Sequence, residues 1–102
     1  MAAIRINETF TASEDPQEVV AATGGRSVSV TRLRVEVQQD PATTYTFSWT
    51  NDEEDEVVIY GPYSKDSVEA YWPGICITGP GAPLNITVTG GSITMDLQYM
   101  EV

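Results

Sequence analysis

Residues 27–38 read Ser-Val-Ser-Val-Thr-Arg-Leu-Arg-Val-Glu-Val-Gln. Val28 and Val30 share one face of an extended strand, and Leu33, Val35 and Val37 share a face by parity. Alternation of period two predicts a half-buried strand. The two valine-rich sets are out of phase with each other. One strand cannot bury both on one side without an extra residue. The slip therefore predicts a bulge near Thr31-Arg32, or a strand that changes sheets there.

Outward from this stretch the same period recurs and no helical period of useful length intervenes. Tyr45, Phe47 and Trp49 alternate with Thr44, Thr46, Ser48 and Thr50, a strand with its aromatic face inward. Residues 57–60 continue as a strand that Gly61-Pro62 is expected to end. Val68, Ala70 and Trp72 alternate toward a stop at Pro73-Gly74, and the apolar triplet Ile75-Cys76-Ile77 follows. Leu84, Ile86 and Val88 alternate up to Gly90-Gly91, and Ile93, Met95, Leu97 and Tyr99 alternate after it, the pattern of a hairpin. Toward the N-terminus, residues 18–22 form a brief strand or a helical turn. Residues 1–10, with Ile4, Ile6 and Phe10 as apolar anchors, form an arm or an edge strand.

About seven or eight short antiparallel strands at spacings near ten residues predict a single all-β domain over residues 11–102, a β-sandwich or jelly roll. Its core is expected to hold Val28, Val30, Leu33, Val35, Phe47, Trp49, Ile86, Val88, Ile93, Met95 and Leu97. At 102 residues the chain has room for one such core.

Composition narrows the function. Five basic against fifteen acidic residues give a net charge of −10. Phosphate backbones need clustered cations, so no nucleic-acid partner is expected. No apolar run approaches the roughly 20 residues of a membrane span, and residues 1–10 have no leader-like apolar core. A single cysteine, Cys76, closes no disulfide and reads as a small core hydrophobe. Histidine is absent, so a nucleophile has no imidazole base and a Cys/His zinc site has no ligand set. No enzyme activity, cofactor or metal is expected.

The remaining motifs read as structure. The acidic run from Asp52 to Glu56 has no Asp-x-Asp-x-Asp-Gly spacing to wrap calcium and reads as a solvated hairpin tip. Asp96, between Met95 and Leu97, falls on an outer face and lacks the apolar setting of a catalytic acid. Asn85-Ile86-Thr87 matches a glycosylation acceptor and is read as incidental. Tyr60, Tyr63, Tyr71 and Trp72 bracket an irregular stretch; Trp72 reads as a core or interface anchor, or as a sugar-stacking platform.

From Ala21 onward the sequence resembles small virion-associated β-proteins of tailed phages. The likeness rests on Gly25-Arg26-Ser27-Val28, Gly61-Pro62, Tyr71-Trp72, Leu84-Asn85-Ile86-Thr87-Val88 with Gly90-Gly91, and the closing Tyr99-Met100-Glu101-Val102. The resemblance implies a capsid decoration (cement) protein that binds the major capsid protein, assembles as a homotrimer and resides in the virion after synthesis in the host cytoplasm. A tail or fibre component, or a carbohydrate-binding β-sandwich module, is the alternative. The expected partner-binding residues are Ile4, Ile6, Val19, Val20, Tyr71 and Trp72.

Overall fold

The computed structural model of the chain describes residues 3–21, 24–39, 41–69 and 76–102. Among them are nine strands and no helix: β1 (Ile4–Thr11), β2 (Gln17–Val20), β3 (Val28–Val37), β4 (Thr44–Thr50), β5 (Glu56–Tyr63), β6 (Ser67–Glu69), β7 (Cys76–Ile77), β8 (Leu84–Thr89) and β9 (Ser92–Glu101). They form two antiparallel sheets. The larger runs β1-β9-β3-β6, with β7 also on β3; the smaller runs β2-β8-β4-β5. The pairs are nested along the chain: β1 with β9, β2 with β8, β3 with β6 and β7, and β4 with β5.

The phase slip in β3 is a bulge. Val30 pairs with Tyr99 and Arg32 with Gln98, leaving Thr31 as the extra residue. Val28 and Val30 thereby face the same core as Leu33, Val35 and Val37. Both sheets contribute to that core: Phe10, Ile93, Met95 and Leu97 from one, Tyr45, Phe47, Leu84, Ile86 and Val88 from the other. Of the expected core residues only Trp49 departs, being half-buried. It sits near the end of β4, where its ring lies against Gly79; a Cβ there would stand 2.5 Å from the indole.

Two expectations are corrected. Residues 84–99 are not a hairpin, because β8 pairs with β2 and β4 whereas β9 pairs with β1 and β3. Gly90-Gly91 carries the chain across the core from one sheet to the other. The crossing is tight: Gly90 has φ +88°, and a Cβ on it would lie 2.0 Å from the Ala42 carbonyl oxygen. Gly61-Pro62 does not end its strand either. It lies inside β5, where the pairing with β4 slips, and β5 is an edge strand that tolerates a missing donor. The strand expected through Val68, Ala70 and Trp72 is described only for Ser67–Glu69, the rest lying outside the described residues.

The connections gather at two ends. At one, the Ala12 N–H donates to Gly91 O, the Ser92 N–H to the Gln38 side chain, and Gln39 to Ser64 O. At the other, the Gly81 N–H donates to Arg26 O and the Thr78 hydroxyl accepts from the Val28 N–H.

Candidate functional site

The expected partner-binding residues fall on one flank, the consecutive edge strands β1 and β2, except Tyr71 and Trp72, which lie outside the described residues. Ile4 is 46% exposed, while Ile6 and Val19 pack half-buried against the core. Val20 is 6% exposed and belongs to the core, so its side chain is closed to a partner. Glu8 shares the inward-facing parity of Ile4, Ile6 and Phe10, yet is exposed. A charge at that position discourages a further strand from adding to the edge.

The acidic run divides into two parts. Asn51 organises the tip: its side-chain oxygen accepts from the Glu53 and Asp55 N–H groups, each at 2.9 Å, and its own N–H donates to Asp55 O. Glu54 turns the chain with φ +64°. Asp52, Glu53, Glu54 and Asp55 are thus held in solvent at the end of the β4–β5 hairpin. Glu56 folds back over the outer face of the smaller sheet. Its carboxylate accepts from the Ser48 hydroxyl at 2.6 Å, from Thr50, and from the Asn85 amide at 3.5 Å. Burial pushes the Glu56 carboxyl up, but these three donors together outweigh it and hold it below the usual carboxylate range. Sequence reasoning missed this cluster: the alternation Ser48-x-Thr50 was readable, but only the pairing of β4 with β8 sets Asn85 beside it. Asn85 is 7% exposed with its amide bonded to Thr50 at 3.1 Å, so the glycosylation triplet is not open to an incoming sugar. No three acidic or sulfur ligands converge among the described residues.

A second cluster was also missed. Outward-facing positions of β1, β9 and β3 bring Arg5, Gln98 and Arg32 into one cross-strand row, with Asp96 and Arg34 beside them. These five residues line a depression of about 260 Å³. Arg5 grips Asp96 with both arms, at 2.9 and 2.7 Å. That hydrogen bonding, opposed by slight burial and aided by the Arg5, Arg32 and Arg34 charges, lowers the Asp96 pKa, and it raises that of Arg5. Arg34 reaches Glu36 at 3.2 Å, whereas Arg32 makes no hydrogen bond or ion pair with the described residues. Arg5 stands far from the others in sequence, so only the pairing of the first and last strands reveals the group.

The edge strand β5 exposes Val58 (58%) and Tyr63 (47%). The Tyr63 ring packs on Tyr60 at 4.5 Å between ring centres, and Tyr45 and Phe47 join them. At the far end Trp49, Asn51, Asp52 and residues 79–82 line a shallow hollow of about 150 Å³. No helix among the described residues is long and apolar enough to cross a membrane. Comparison with family models, curated proteins and solved structures returns no match to the chain.

Proposed function

We propose that the chain is a jelly-roll structural protein of a tailed-phage virion, a decoration protein that binds the outer capsid surface as a trimer. The observation that carries this reading is the strand order. Nested pairs in sheets β1-β9-β3-β6 and β2-β8-β4-β5 support the jelly-roll reading, an architecture of viral capsid and lectin domains. The docking flank on this reading is the β1–β2 edge, where Ile4, Ile6 and Val19 offer apolar surface away from the acidic tip. The net charge of −10 favours an outward-facing position, away from packaged nucleic acid. The test is occupancy on shells formed by the capsid protein of a neighbouring gene. Saturable binding that Ile4→Lys weakens supports the reading; absence of binding to shells and tails alike overturns it.

One observation favours a second reading, a carbohydrate-binding module. The hollow at Trp49 sets an indole beside Asn51 and Asp52, the pairing of apolar face and polar groups that sugars require. A glycan array separates the two readings: specific binding lost in Trp49→Ala, with no shell occupancy, selects the sugar.

A further inference from the structure

We propose that the acidic tip of one copy docks into the arginine depression on the larger sheet of a second copy, so that the chain self-associates head to tail. The inference does not depend on the virion reading, since purified protein in solution suffices to test it.

The chain has only five cationic side chains, Arg5, Arg26, Arg32, Arg34 and Lys65, and three of them line one depression. The register of β3, β9 and β1 brings this about. It sets Arg32 opposite Gln98, which on its other side faces Arg5, and Arg34 opposite Asp96. Within the depression Asp96 already occupies Arg5, and Glu36 engages Arg34 from outside it. The exposed Arg32 guanidinium has no such partner among the described residues. Its planar fork of donors suits a carboxylate, and the depression holds three guanidinium groups against one acid.

The complementary surface is on the same chain. Asp52, Glu53, Glu54 and Asp55 project from the β4–β5 hairpin in a turn fixed by four hydrogen bonds to and from Asn51. A pre-formed tip loses little conformational freedom on docking. Tip and depression belong to different sheets, so one copy can offer its tip while receiving another's. Such a heterologous contact closes into a ring when the rotation permits and otherwise extends as a filament. Repulsion between two copies at −10 is damped beyond about 8 Å in physiological salt, while docked carboxylates and guanidinium groups lie well inside that length.

Sedimentation velocity on the whole chain at about 150 mM salt tests the proposal, with two neutralised variants. Arg32→Gln disables the depression; Asp52→Asn, Glu53→Gln, Glu54→Gln and Asp55→Asn together disable the tip. All five positions are exposed, and circular dichroism melting confirms that each variant folds. Wild-type protein is expected to show concentration-dependent species larger than the monomer, and each variant to associate about tenfold less tightly or worse. Loss in the tip variant is diagnostic, because removing four negative charges takes the net charge from −10 to −6 and lessens general repulsion. Mixing the variants leaves one intact tip and one intact depression, so a 1:1 complex is expected. Monomeric wild-type protein at every concentration overturns the proposal. So does undiminished association of either variant, or a mixture that stays monomeric while wild type associates.

Discussion

Gly90 is the residue on which the sheet-to-sheet crossing depends. Its φ of +88° disfavours any side chain, and a Cβ would meet the Ala42 carbonyl at 2.0 Å. Gly24 also has positive φ, but open space surrounds it. Gly24→Ala is therefore expected to cost about 1 kcal/mol from conformation alone, and Gly90→Ala on the order of 3 kcal/mol or more, as read by urea denaturation. Equal costs would mean that the backbone at residue 42 yields freely. Phe47 and Trp49 offer a similar contrast. Phe47→Ala removes a fully enclosed ring and should cost about 3–5 kcal/mol, Trp49→Ala clearly less because its ring is only half-buried. Two carboxyls among the described residues set a pH dependence. Glu56 and Asp96 both titrate below their ordinary range in the folded chain. Their stabilisation is therefore complete above the unfolded carboxylate values near 4 and is lost as pH falls through the lower folded values. Melting temperature followed from pH 7 to pH 2 should decline on the acid side less steeply in Glu56→Gln than in wild type.

At the scale of the element, the bulge in β3 makes the sharpest test. Deleting Thr31 removes the extra residue and leaves Val28, Val30, Leu33, Val35 and Val37 in one unbroken alternation, opposite the same partners on β9. That deletion is expected to preserve the fold at a loss of about 2 kcal/mol, roughly 10 °C in Tm. Deleting Arg34 from the same strand reverses the parity of every residue on one side of the gap and should abolish cooperative melting. The bulge was legible because burial imposes one parity on the whole strand and the valines visibly broke it. The partner of β9 was not legible: alternation up to and after Gly90-Gly91 is the same for a hairpin and for a crossing between sheets. Which strand pairs with which depends on contacts remote in sequence. For that reason the row of Arg5, Gln98 and Arg32 was hidden although each residue's outward parity was readable, and the anchoring of Glu56 by Ser48, Thr50 and Asn85 was hidden with it.

For the whole molecule, charge and topology are the governing quantities. Fifteen acids against five bases place a repulsive load on the compact state, and the ion pairs among the described residues are exposed or half-exposed ones that contribute little. Raising salt from about 10 to 150 mM should therefore raise the melting temperature, since screening relieves repulsion more than it weakens those pairs. A fall would indicate that the Arg5–Asp96 bridge outweighs the net charge. The nesting of strand pairs has a further consequence, for the route by which the chain folds. If β1 met β9 first, it would have to close a loop of most of the chain. If β4 and β5 zip first across residues 51–55, that hairpin draws β3 toward β6 and β7, then β2 toward β8, and each later closure spans only short flanking segments. Because the entropy of closure grows with loop length, assembly from the innermost hairpin outward is the favoured order. Truncations in β4 and β5 should then slow folding, whereas truncations in β1 and β9 should chiefly hasten unfolding.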